Sequence, residues 1–205
     1  VTRVVLPEAE LEVTGAGYEP AGTFLHDGRP RAAASVPGLT RLLEAAAVCN
    51  DARLESHQGW HVHGSSTEGA LLALAGKGGV DGRCFERLRS IGFTSDRKRM
   101  SVTARDPDGA LWSFLKGSPE AVAARVTRIL GPGGESPLDE RMRARLLASA
   151  SALGSSVFRV LALAYRRLLP DDALEVAEDA LVWLGIVGLI HPPRAGVAEG
   201  DRRPH

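Results

Sequence analysis

Leu39, Leu42, Leu43 and Ala46 recur at three- and four-residue spacing, which predicts a helix over 38–49 with one buried stripe. The same period runs through 138–153 and predicts a long amphipathic helix stopped by Gly154. "TEGALLALAG" (67–76) predicts a helix capped by Thr67 or Ser66 and ended by Gly76. Ser118 followed by Pro119 is a hydroxyl cap with proline at the first helical position, predicting a helix from there to Gly131. Strands are predicted over 1–6 and 11–23, joined by a turn at 7–10, and in "GWHVHG" (59–64). Residues 97–104 and 111–116 alternate on either side of "DPDG", a hairpin signal. "SVFRVLALAYRRL" (156–168) and "LVWLGIVGLI" (181–190) predict two more strands with a short helix near 172–178 between them, while "GPGGESP" (131–137) reads as a loop. Hairpins and helices mix without a regular strand–helix–strand rhythm. The fold class expected is α+β, a mainly antiparallel twisted sheet flanked by helices.

At 205 residues the chain can build one sizeable core or at most two small domains. Lys+Arg and Asp+Glu both number 25, so no overall field draws it toward nucleic acid or an acidic membrane, and any anion site must be local. Gly (23) and Pro (12) argue for many turns between short elements. The longest apolar run, 180–190, is too short to span a bilayer and suits a buried strand. Cys49 and Cys84 form no metal or disulfide pattern and suit a reducing compartment. No basic-then-apolar leader opens the chain, so no signal peptide is expected. "VTRVVLP" starts as though in mid-strand and "AEGDRRPH" ends as a polar tail, so the chain reads as a piece of something longer.

Several chemical motifs nearly appear. "GALLALAGKGG" (69–79) imitates a phosphate-binding loop, but six residues rather than four separate Gly69 from Gly76, and Gly78 stands where a hydroxyl is needed. The simpler reading is a helix ending in glycines. "GAGYEP" (15–20) fails the dinucleotide fingerprint at its last glycine. His61 and His63 share a strand face near His57, but no cysteine or carboxylate lies at a helpful spacing, so a solvated face is preferred to a metal site. No nucleophile elbow is present.

"FTSDRKRMSV" (93–102) is more informative. Pairing across "DPDG" with register sums of 214 or 215 sets Lys98 opposite or diagonal to Lys116. Alternation places Lys98, Met100 and Val102 on one face, and Trp112, Phe114 and Lys116 on one face of the partner strand. Like charges so placed destabilise a sheet by up to about 1 kcal/mol unless an anion sits between them, the alternative being two solvated lysines that splay apart. Arg97 and Arg99 point to the other face, toward solvent or carboxylates. Phe93 offers a ring on which a base could stack. Neutral net charge and the lack of neighbouring basic clusters argue against nucleic acid as the partner.

Six blocks together resemble the nucleotide-binding (N) domain of P-type cation-transporting ATPases, most like the type II, calcium-pump-like branch. "KGSPE" (116–120) is similar to the family's KGAPE, and "FTSDRKRMSV" to its F-x-x-x-R-K-x-M-S-V strand. "VCNDA" (48–52) and "GSSTEGALL" (64–72) are similar to CNDA and GDPTEGALL. "FRVLALAY" (158–165) resembles the segment supplying a late arginine, and "LGIVGLIHPPR" (184–194) the strand entering a DPPR hinge. The resemblance implies an ATP site: Phe93 stacking on adenine, Glu68 near the adenine edge, and Lys98 near adenine and phosphates. Lys116 would form part of the floor, Gly117 would allow close backbone approach, and Arg159 would reach the phosphates. A π face, a carboxylate and converging cations do suit a purine with a polyphosphate.

Residues 1–190 would be the ATP-binding N domain, and 191–205 the start of a hinge plus a disordered tail. In a parent pump the domain would use Mg-ATP, present its γ-phosphate to an aspartate of a phosphorylation domain, work with an actuator domain, and drive cation transport. It would be a cytoplasmic part of an integral membrane protein without itself entering the membrane. The chain contains no DKTGT, TGD or GDGxND segment, so it is expected to hold ATP without turning it over. Three departures stand out: Ser95 where some calcium pumps carry a phosphate-contacting arginine, Ser66 in place of proline, and His191 in place of the hinge's first acid. The alternative reading is a stand-alone nucleotide-binding regulatory module with no transport role.

Overall fold

A computed structural model of the chain describes residues 1–156, 159–169, 172 and 177–190. The first half runs β1 (Arg3–Leu6), β2 (Ala9–Val13), β3 (Phe24–His26), β4 (Arg29–Arg31), α1 (Leu39–Val48), β5 (Arg53–Ser56), β6 (Trp60–His63), α2 (Ser66–Lys77) and β7 (Glu86–Ile91). The second runs β8 (Arg99–Arg105), β9 (Leu111–Gly117), α3 (Pro119–Ala123), β10 (Val126–Gly131), β11 (Gly134–Pro137), α4 (Glu140–Gly154), β12 (Arg159–Leu168) and β13 (Leu181–Leu189). The main sheet has the order β4-β3-β2-β1-β13-β12-β9-β8-β7, with β10 along β13 and β11 along β10; β5 and β6 form their own hairpin. Among these pairings only β10 with β13 is parallel. The expected α+β class, mainly antiparallel with flanking helices, is what the chain adopts.

The run "LVWLGIVGL" is buried throughout because β13 carries a core on each face. Val182, Leu184, Val187 and Leu189 join α1 and α2 residues in one core, and Leu181, Trp183 and Ile186 join α3 and α4 residues in the other. The parity of the first set switches from even to odd at Gly185. There the register against β12 slips, Leu163 facing Gly185 and Ala164 facing Trp183. Such a bulge re-phases a strand so that both halves keep their apolar sets on the correct faces. A Cβ on Gly185 would also lie 2.5 Å from the Val5 carbonyl oxygen, so glycine is required where β1 meets β13.

Several predicted elements are corrected. The 11–23 strand divides, because Gly15 (φ +87°) and Gly17 (φ +64°) turn the chain between β2 and β3. α2 is preceded by Ser65, which makes no side-chain cap, and ends at Lys77 before Gly78; Gly76 sits inside it, close against Pro20. Ser118 does cap α3, accepting from the Ala121 N–H at 3.2 Å. That helix stops at Ala123 rather than reaching Gly131, since β-branched Val126, Thr127 and Ile129 run as β10. The presumed loop 131–137 is a tight turn at Pro132–Gly133 followed by β11, with Gly134 at φ +97°. α4 is capped by Asp139 and begins two residues later than the hydrophobic pattern implied. The short helix expected near 172–178 falls largely outside the described residues, as do the hinge and tail expected over 191–205.

The β8–β9 register also differs. Arg99 faces Gly117 and Met100 faces Lys116. The connection takes in Asp106–Ala110, because Asp106 Oδ1 accepts from the N–H groups of Asp108 and Ala110 at 3.0 and 2.8 Å and closes a wider turn than "DPDG" alone. Lys98 is therefore outside the strand and not opposite Lys116.

Candidate functional site

β8, β9 and β12 are joined in one row, Arg99 to Gly117 to Ala162, and the sequence-predicted residues gather at this end of the sheet. The turn before β8 carries two of them. The Lys98 N–H donates to the Thr94 carbonyl (2.8 Å), the Arg97 N–H donates to Thr94 Oγ1 (3.2 Å), and Arg97 Nη1 donates to the Gly92 carbonyl (3.1 Å). Phe93 lies inside these bonds with 58% of its surface exposed, so turn geometry rather than packing sets its position. Lys98 adopts φ +51°, a left-handed conformation disfavoured for a side chain with a Cβ. Its side chain is exposed and has no ion-pair partner among the described residues.

Gly117 is needed here for backbone approach. A Cβ on it would lie 2.4 Å from the Lys98 carbonyl oxygen, which accepts from the Ser118 N–H at 2.9 Å. The closely approaching group is thus the Lys98 turn itself. Lys116, next in β9, projects to the α1/α2 side and is only 5% exposed. Its Nζ lies 2.5 Å from Glu68 Oε1 in the first turn of α2, forming a nearly enclosed ion pair. Glu68 Oε1 also accepts from the Asp51 N–H at 3.3 Å.

The "VCNDA" block brackets this pair. Asn50 Nδ2 donates to the carbonyls of Ala46 (3.1 Å) and Glu68 (3.0 Å), tying the end of α1 to the start of α2. Arg87 on β7 donates to the Asn50 carbonyl and to Asp51 Oδ1. Burial pushes the Cys49 thiol up to about 11, against an opposing effect of Lys116, so it is no nucleophile at neutral pH. Asn50 and Asp51 belong to the site's support although the sequence marked them only as part of a recognisable block.

Arg159, at the first residue of β12, donates through Nη1 to Thr67 Oγ1 at 2.5 Å. That places it beside Glu68 in sequence. It also lines a cleft of about 250 Å³ with Thr2, Tyr18, Ser66, Thr67 and Ile190, among others; Phe93, Lys98 and Lys116 lie outside that cleft. Elsewhere, residues 69–77 of the false phosphate loop are helical. His61 Nε2 meets the His57 carbonyl at 2.9 Å, and His63 pairs with Glu55 at 3.0 Å on an exposed hairpin face.

The two arginines flanking Lys98 meet a carboxylate, one of the two surroundings expected for them, and share it. Arg97 Nη2 donates to Glu178 Oε1, Arg99 Nε to Oε2 (2.9 Å), and Ser101 Oγ to Oε1 (2.5 Å). Burial opposes ionisation of Glu178, but the hydrogen bonds from Arg97, Ser101 and Arg99 outweigh it and hold the carboxyl below its ordinary value. Sequence reading missed Glu178, whose one signal was the need of two arginines, one on each side of Lys98, for an anion.

The candidate residues therefore present an exposed aromatic ring, a lysine with no ion-pair partner among the described residues, an arginine and an enclosed Lys–Glu pair. That set is suited to a flat π system bearing anionic groups.

Comparison with known proteins identifies the family. Residues 38–196 match the family model described as P-type ATPase, cytoplasmic domain N. A calcium-transporting ATPase of Bacillus subtilis (strain 168) is 33% identical over 206 residues, covering 97% of this chain and 23% of that protein. Calcium-transporting ATPase type 2C member 1 of Bos taurus is 36% identical over 193 residues, covering 92% and 19% respectively. Cation-transporting ATPase pma1 of Synechocystis sp. is 36% identical over 203 residues, covering 89% and 21%. The chain thus spans about a fifth of the length of the relatives it matches. No helix among the described residues is long and apolar enough to cross a membrane. With the family model covering most of its length and the site's blocks in place, the chain belongs to the P-type ATPase cytoplasmic N domains.

Proposed function

We propose that the chain binds ATP at the Phe93–Lys98 turn. Adenine stacks on Phe93 and meets the Glu68–Lys116 pair at its edge, Gly117 keeps the backbone close, and Lys98 and Arg159 face the phosphates. The observation that carries this reading is an exposed ring, held on a turn that abuts the Lys116–Gly117 end of β9. Phe93 and Lys98 lie on one turn, both exposed, and no ring–ring contact or ion pair occupies them among the described residues. In a longer, type II parent, residues 1–190 form the nucleotide domain, and the chain from 191 returns to a phosphorylation domain. There Mg-ATP gives its γ-phosphate to an aspartate, in concert with an actuator domain, to drive cation transport. The names of the relatives favour calcium as the cation.

The test is an ATP titration of the 205-residue chain followed by NMR. Phe93, Lys98 and Lys116 resonances should shift with a dissociation constant near millimolar, about −4 kcal/mol. Phe93→Ala should weaken binding about tenfold, given about 1–3 kcal/mol per stacked base. Resonances of these residues that stay put at saturating ATP would refute the reading.

A further inference from the structure

We propose that Glu178 is a positioning residue of the nucleotide site, holding Phe93 and Lys98 in their binding geometry from the opposite face of the sheet through Arg97 and Arg99. This rests on the ATP-binding reading and deepens it.

Arg97, Lys98 and Arg99 are three adjacent cations, and unaided repulsion would leave their directions unsettled. Glu178 takes both arginines, on Oε1 and Oε2, and is itself only 9% exposed. Bonds to charged partners in such surroundings are strong and directional. Both guanidinium groups then continue to the backbone of the turn. Arg97 Nη1 donates to the carbonyl of Gly92, the residue before Phe93 (3.1 Å), and Arg99 Nη1 donates to the Arg97 carbonyl (3.3 Å). The carboxylate thus reaches, through the two guanidinium groups, the carbonyl just before Phe93 and the carbonyl just before Lys98.

The Lys98 backbone is also held by Thr94 and Ser118, so the clasp adds to those bonds at Lys98 and acts ahead of Phe93 through the Gly92 carbonyl. Phe93 is 58% exposed and makes no ring–ring contact among the described residues. Lys98 stands at φ +51°, a conformation that persists only where its surroundings over-determine it. Ser101, 4% exposed on β8, fixes Glu178 in turn. Glu178 lies 77–81 residues beyond these partners, so the clasp joins two segments that chain connectivity leaves independent.

The experiment compares the unmodified chain with Glu178→Gln and Arg97→Lys. The second variant keeps a cation for Glu178 but cannot fork to the Gly92 carbonyl, so it carries the test should the first fail to fold. Each is titrated with ATP, and the upfield shift of the adenine H2 and H8 protons at saturation is read by NMR. That ring-current shift reports how squarely the base sits over Phe93, and a change in global stability does not alter it in the bound, folded molecule. The expected result is a smaller limiting shift in both variants, with binding weakened roughly three- to tenfold. In a Phe93→Ala background the same substitutions should weaken binding less. Folded variants with the unmodified limiting shift and affinity would overturn the proposal while leaving the ATP reading intact. An unmodified chain that binds no ATP would sink both.

Discussion

Lys98 and Gly117 sit against each other as an ill-fitting lysine and an obligatory glycine, and they fail in different ways. Lys98→Gly relieves a left-handed backbone at φ +51° and removes the charge proposed to face a phosphate. Thermal unfolding should stay within about 1 kcal/mol of the unmodified chain, while ATP binding falls about tenfold. Gly117→Ala would set a Cβ 2.4 Å from the Lys98 carbonyl, so the turn itself must move. Glu68 is a third case. Its loss strands Lys116, 5% exposed, without its counter-charge. Glu68→Gln should therefore lower stability by about 3 kcal/mol, read as a shift of the urea midpoint. These residues are recognisable in the sequence by type and order. Their contacts are not, because Lys98 was assigned a strand face and instead lies in a turn.

At the scale of elements, helices and hairpins are legible where a local rule suffices. α1 and α4 show their period, and Ser118 caps α3 as its chemistry demands. The β8–β9 register is missed because the Asp106 side chain adds residues to the turn, a bond no alternation pattern encodes. The junction of α1 and α2 is likewise tertiary, since one Asn50 amide satisfies a carbonyl on each. Asn50→Ala should cost about 2 kcal/mol and loosen the turn that carries Glu68, seen as faster amide exchange there. The β8 strand is also tied to the segment before β13 by Glu178. A carboxyl held below its ordinary value in the folded chain binds fewer protons there than when unfolded. It adds stability above the ordinary carboxylate range and loses it as pH falls through the lowered folded value. Acid titration of the unfolding free energy should fall less steeply through and below that range in Glu178→Gln than in the unmodified chain.

Across the whole molecule, β13 is the wall shared by both cores. Trp183, 1% exposed, packs on the α3/α4 side, and Trp112 lies in the core on the other. Trp183→Ala should destabilise by about 3–5 kcal/mol, and fluorescence of the remaining Trp60 and Trp112 and circular dichroism should still report one coincident transition. What the amino-acid sequence determined by itself is the α+β class, the burial of the strand "LVWLGIVGL", and which residue types make up the candidate site. Each of these follows from local periodicity or from side-chain chemistry that travels with the residue. Only the tertiary structure decided the slip at Gly185 that keeps β13 in phase with two cores, the Met100–Lys116 register, and the choice of Glu178 as the anion for Arg97 and Arg99. Those outcomes depend on which distant groups are brought within a few ångströms of one another, and the energy of a buried carboxylate or a bulged strand is settled by partners that lie far away along the chain.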